Sequence, residues 1–223
     1  MKTVRTAFGK NLPWMMTVLV LLLQGCLTIE EHYVFKKDGS GTLEYVFDAS
    51  EMGEMLKGFP GSKDDKDGMK ENDLSDKIGA LKAIPGITKV KHKKEDDGWV
   101  QRMSLRFANI NALNAALNEL DADSTSADHT YFKWEGNTLV RTTGHETGDL
   151  ATGMGGSGDS TTAILKEMHY KFDMKFADEL GEVKAADGMV KEMDGTKHVK
   201  LSTDWSMIKD DPAALDLRIT LKK

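Results

Sequence analysis

Apolar and polar residues alternate along much of this chain, and glycine turns interrupt the alternation at regular intervals. Ile29, Tyr33 and Phe35, then Leu43, Tyr45 and Phe47 beyond Asp38-Gly39-Ser40-Gly41, keep period two on both sides of a turn. That pattern predicts a β-hairpin whose matching apolar faces set the register. Asp48, with Glu51 three residues on, resembles a capping box, and Met52, Met55, Leu56 and Phe59 then fall on one helical stripe before Pro60-Gly61. A second helix is predicted from Leu74, Ile78 and Leu81, ending at Pro85-Gly86.

The unit then recurs. Ile87 to Lys94, the turn Glu95-Asp96-Asp97-Gly98, and Trp99 to Phe107 read as a second hairpin, followed by a helix capped by Asn109 and carrying Ile110, Leu113, Leu117 and Leu120. A third hairpin is expected from His129 to Thr143 around Gly136-Asn137. Met168, Tyr170, Phe172, Met174 and Phe176 form the longest strand pattern, with shorter strands near Val183, Val190 and Val199 and a last one from Leu215 to Leu221. The sum is an α+β fold: a curved, mostly antiparallel sheet of hairpins with two or three helices on one face. Charge and glycine without apolar content predict flexible loops near 62–73 and 144–160.

Ahead of the first strand the composition changes. Lys2, Arg5 and Lys10 precede an apolar run from Trp14 to Leu23, and Leu23-Gln24-Gly25-Cys26 closes it with the one cysteine of the 223 residues. Basic then apolar is the order of an export signal, and a run this short falls well below the roughly 20 residues a spanning helix needs. The Leu-x-Gly-Cys ending resembles the lipobox of bacterial lipoproteins. That resemblance implies cleavage of residues 1–25 and acylation of Cys26, so that a single lipoprotein domain, 26–223, is held to a membrane by its N-terminal acyl chains. Leu27 after the cysteine resembles an outer-membrane address, on its periplasmic face. Only Leu27 and Thr28 separate Cys26 from the strand pattern at Ile29, about 7 Å at full extension, which predicts a domain held close to the lipid.

The formal net charge is −6, and losing the three leader cations makes it −9. So acidic a body argues against nucleic acid as a partner and against electrostatic attraction to anionic headgroups.

Phe35-Lys36-Lys37-Asp38-Gly39-Ser40-Gly41, with Val183 to Gly188, Asp194-Gly195-Thr196 and the strand running into Trp205, resembles the LppM-like family of bacterial lipoproteins. The resemblance implies an α+β lipoprotein domain that binds envelope lipids or glycolipids, with no catalytic residues to carry over. Some members of that family have a carboxy-terminal membrane segment, whereas this chain stops in an alternating polar strand at Lys222-Lys223.

Motifs for chemistry are sparse. Gly153-Met154-Gly155-Gly156-Ser157-Gly158 has the spacing of a dinucleotide fingerprint but no apolar strand leading into it. Asp65, Asp67 and Gly68 partly mimic a calcium loop, yet Lys63 and Leu74 stand where ligands are needed. His145-Glu146 with Asp149 fits no recognised ligand spacing, and neither Ser40 nor Ser157 sits in a nucleophile elbow. No catalytic residue, metal or cofactor is therefore expected. The candidate ligand or headgroup contacts are Lys89, Lys91 and Lys93, expected on one strand face near Trp99; edge protection is their alternative role. Ten methionines remain after the leader and suit either a core or an adaptable apolar cavity. The reading is a non-enzymatic envelope binding or scaffold domain for an apolar ligand, a lipid or an envelope protein. A hydrolase or metal-dependent envelope enzyme built from distant histidines and carboxylates, and a purely structural interaction protein, are the alternatives.

Overall fold

The first strand begins two residues earlier than expected, so that Leu27 and Thr28 belong to it: β1 spans Leu27–Phe35 and β2 Gly41–Asp48, paired antiparallel from Thr28↔Asp48 to Phe35↔Gly41. The computed structural model describes residues 27–57, 73–121, 128–143, 159–211 and 213–222. Cys26 and its leader, most of the 62–73 and 144–160 stretches, and the motifs at 63–68 and 145–158 lie outside the described residues. Gly39 turns the hairpin at φ +79°, where a side chain would be strained, and Asp38 Oδ1 accepts from Ser40 N at 3.0 Å.

Helix α1, Ser50–Lys57, follows, with Asp48 Oδ1 accepting from Ser50 N. The Leu74 helix opens as a 3₁₀ turn, Leu74–Lys77, capped by Asp73, and continues as α2, Ile78–Ala83. Strands β3, Ile87–Glu95, and β4, Val100–Phe107, form the second hairpin; helix α3, Ile110–Asp121, is capped by Asn109 Oδ1 accepting from Ala112 N at 3.0 Å. Strands β5, Phe132–Glu135, and β6, Thr138–Arg141, form the third. Helix α4, Asp159–Lys166, precedes β7, Met168–Phe176; then come β8, Leu180–Ala185, β9, Val190–Met193, β10, His198–Asp204, helix α5, Trp205–Asp210, and β11, Leu217–Leu221.

The α+β, mostly antiparallel architecture is as the alternation predicts, but the strands divide between two sheets. Seven run in the order β3-β4-β2-β1-β7-β10-β9 and four in the order β5-β6-β11-β8. The two hairpin units lie side by side through the β2–β4 pairing, while β1 and β7 run parallel, Ile29 opposite Tyr170 and Phe35 opposite Phe176. Helices α4 and α5 are additions to the three predicted; Asp159 and Ser160, read from composition as loop, belong to α4.

Alternation along β1 and β7 gives the large sheet one buried face. Leu27, Ile29, Tyr33 and Phe35 with Met168, Tyr170, Phe172, Met174 and Phe176 are all buried, and the small sheet packs over them. The Phe132 ring meets Tyr33 edge-on at 5.2 Å between centroids, and Phe35 stacks on Phe176 at 5.2 Å. Aromatic side chains of the two sheets thus meet between the layers.

Candidate functional site

The other face of the large sheet is polar, and its strand register assembles a groove. Lys91 pairs with Ser104, Ser104 with Glu44, Glu44 with His32, and His32 with Asp173, so five strands contribute one row. The adjacent row runs Arg106, Thr42, Val34 and Lys175. Directly opposed residues project to the same side of a sheet, so both rows face solvent together. They line a cavity of about 370 Å³ that also takes in Lys89.

Lys91 reaches this face only through a backbone irregularity. Ile87 is buried toward the core, and strict alternation would point Lys89, Lys91 and Lys93 inward with it. The register instead shifts between Thr88 and Lys91, with Lys89 at φ +56°. This bulge reverses the phase, placing Lys91 and Lys93 outward and His92 inward, where its Nε2 lies 3.2 Å from Gln101 Oε1.

The four expected contact residues do not stay together. Lys89 and Lys91 line the groove, whereas Lys93 is ion-paired with Glu95 at 2.6 Å. Trp99 is half-buried against the core, over Gly53 of α1, where an added Cβ would meet its indole at 2.6 Å. Arg106 and Lys175 complete the cationic lining. Neither stands in a recognisable motif; only the pairing of β4 with β2, and of β7 with β1, brings them to the lysines. Lys89, Lys91 and Arg106 make no ion pair among the described residues, and Lys175 lies 3.9 Å from Asp173.

Beside these cations, imidazoles and carboxylates alternate. His32 Nε2 is 3.0 Å from Glu30 Oε2 and its Nδ1 is 3.9 Å from Asp173 Oδ2; His198 Nε2 is 2.8 Å from Asp173 Oδ1 and its Nδ1 is 3.0 Å from Asp194 Oδ2. The hydrogen bond with His32 is the main force pulling the Glu30 carboxyl down to about 2, with Lys171 at 3.2 Å adding to it and partial burial opposing it. The same bond raises the His32 imidazole above its ordinary 6.5, again against burial.

The chain is similar in fold to the folded domain of the Mycobacterium tuberculosis LppM protein, solved by NMR. Identity is 12%, the likeness covers 89% of this chain and 91% of that one, and the TM-score is 0.44. No protein family matches the chain, and no curated protein matches it significantly. No helix among the described residues is long and apolar enough to cross a membrane, and no three His, Cys, Asp or Glu side chains among them converge as metal ligands.

A second polar cluster lies inside the molecule. Glu31 is 3% exposed; Tyr33 and Tyr170 donate to its two oxygens at 2.6 and 2.5 Å, and Arg141 Nη2 from the small sheet stands 3.7 Å away. Arg141 donates through Nη1 to the Leu215 carbonyl at 3.1 Å, and its guanidinium carbon lies 4.5 Å from the Phe172 ring centre. Burial raises both tyrosines well above 10, and the Glu31 charge adds to it. All four side chains are buried, and the cluster ties β1 and β7 of one sheet to β6 of the other.

Proposed function

We propose that the protein is a non-enzymatic binding domain of the cell envelope, tethered through acyl chains on Cys26, and that the groove on its open sheet face takes an anionic group. The observation that supports this is the gathering of Lys89, Lys91 and Arg106, unpaired among the described residues, with Lys175. Three neighbouring cations with no carboxylate partner among the described residues supply an electrostatic site for a phosphate or carboxylate.

Position refines the reading. Val34, in the groove, is eight residues beyond Cys26. Along a strand that is roughly 26 Å. The sheet end next to the anchor carries Asp48, Asp96, Asp97 and Asp204 instead. An acidic edge near the lipid and a cationic groove far from it favour a ligand held out from the anchoring leaflet over contact with that leaflet's own headgroups.

The test is binding to two probes by the full chain in neutral detergent: soluble glycerophosphoglycerol, and phosphatidylglycerol vesicles against phosphatidylcholine vesicles. Binding to the soluble probe identifies a free anionic group as sufficient, and binding to vesicles alone identifies a bilayer source. In either case Lys89→Ala/Lys91→Ala/Arg106→Ala is expected to weaken binding by about ten- to a hundredfold, from roughly 0.5–1 kcal/mol for each exposed contact. Unchanged binding by the triple variant, or no binding to either probe, refutes the proposal.

A further inference from the structure

We propose that His32 makes anion binding in this groove proton-linked, so that the site tightens as pH falls toward mild acidity. The inference rests on the groove being the anion site proposed above.

His32 sits in the groove floor with its neighbours arranged to hold a proton. Glu30 on its own strand, Glu44 from β2 and Asp173 from β7 face it as anions; Lys171 and Lys175 from β7 face it as cations, and His198 from β10 acts through the shared Asp173. Lys171 is committed to Glu30 at 3.2 Å. With Glu30 at about 2, that carboxylate remains charged at every pH of interest, so the anionic side of the cluster does not neutralise itself first. The imidazole, raised above 6.5 mainly by its bond with Glu30, is the group that changes.

While His32 is neutral, the four cations of the groove stand against the carboxylates of Glu44 and Asp173, a balance of +2. Protonating His32 takes it to +3. The proton also gives Asp173 a second cationic neighbour and so loosens its 3.9 Å hold on Lys175. One added charge about 5–10 Å from a bound anion, one or two strand spacings, strengthens binding roughly three- to tenfold once solvent and salt are counted. Linkage makes the effect reciprocal: the bound anion must raise the His32 titration point by about half to one unit.

The experiment measures glycerophosphoglycerol binding by calorimetry from pH 5.5 to 8 with the full chain in neutral detergent, and follows the His32 ring proton by NMR with and without the probe. A phosphodiester keeps a constant charge across this range, so any slope belongs to the protein. The expected result is a three- to tenfold tightening toward low pH, flattened in His32→Gln and retained in large part in His198→Gln, with the His32 titration displaced upward by the probe. The NMR displacement is read on the unmodified chain and stands even if the glutamine variant is poorly folded. Binding that is flat with pH, a slope that survives His32→Gln, or a His32 titration unmoved by saturating probe overturns the linkage while leaving the groove reading intact. Failure to bind the probe at any pH overturns both.

Discussion

Replacing Arg141 by methionine tests what holds the two sheets together. The guanidinium is buried, 3.7 Å from Glu31, bonded to the Leu215 carbonyl and seated over the Phe172 ring. Methionine keeps much of the side-chain volume and the contact with Phe172 but leaves the Glu31 carboxyl with its two tyrosines alone. At an effective dielectric of 20, charges at this separation interact by about 4–5 kcal/mol. Breaking a buried pair from one side costs about 3–5 kcal/mol, because the remaining group keeps its desolvation penalty. Glu31→Gln should cost a similar amount by stranding the arginine. The double variant should be less destabilised than the two singles combined, since neither charge is then buried without the other.

Equilibrium urea unfolding of the three variants and the parent chain measures this directly. At a slope of about 2 kcal/mol per molar, each single variant should lower the midpoint by roughly 1.5–2.5 M. The coupling from the cycle should be about 2–3 kcal/mol. A coupling below about 0.5 kcal/mol would show that Arg141 contributes packing only, and the clamp between sheets would have to be abandoned.

Further outcomes concern the anchor, Glu30 and two glycines of the first hairpin. Cys26→Ser should abolish incorporation of a labelled fatty acid, since no other residue can form the thioether, and label retained in that variant ends the lipid-anchor proposal. Glu30, held at about 2 against an ordinary 4.5, contributes stability that is fully present above pH 4.5 and lost as pH falls toward 2. That shift corresponds to at most about 3 kcal/mol. Glu30→Gln should therefore flatten the acid limb of a plot of melting temperature against pH, and an unchanged limb refutes the assignment. Gly41→Ala should destabilise by about 2–3 kcal/mol in chemical denaturation, because the added Cβ would stand 2.2 Å from the Val34 carbonyl and 2.3 Å from the Phe107 ring. Gly39→Ala, with nothing within 4 Å and only its φ of +79° at stake, should cost about 1 kcal/mol.

The local grammar of the fold was legible in the sequence. Period-two alternation located the three hairpins and β7, with Asp-Gly turns in the first two hairpins and Gly136-Asn137 in the third, and Asn109 marked the start of α3, because turns and caps are settled within a few residues. Helices α4 and α5 were missed: α4 begins inside the stretch whose glycine and charge read as loop, and α5 follows β10 without a break, although Asp204 caps it by accepting from Ser206 N and Met207 N. Alternation says which residues share a face, but it cannot say which strand lies alongside. The division into two sheets, the parallel β1–β7 pair and the meeting of Glu31 with Arg141 all depend on partners far apart in the chain. The same holds for the candidate site. Lys89 and Lys91 drew notice as a run of cations, but only the bulge at Lys89 turns Lys91 outward beside Arg106 and Lys175, and the register leaves Trp99 at the far end of β4, packed over Gly53. Backbone phase and long-range strand pairing, settled when the whole core is buried at once, made the groove.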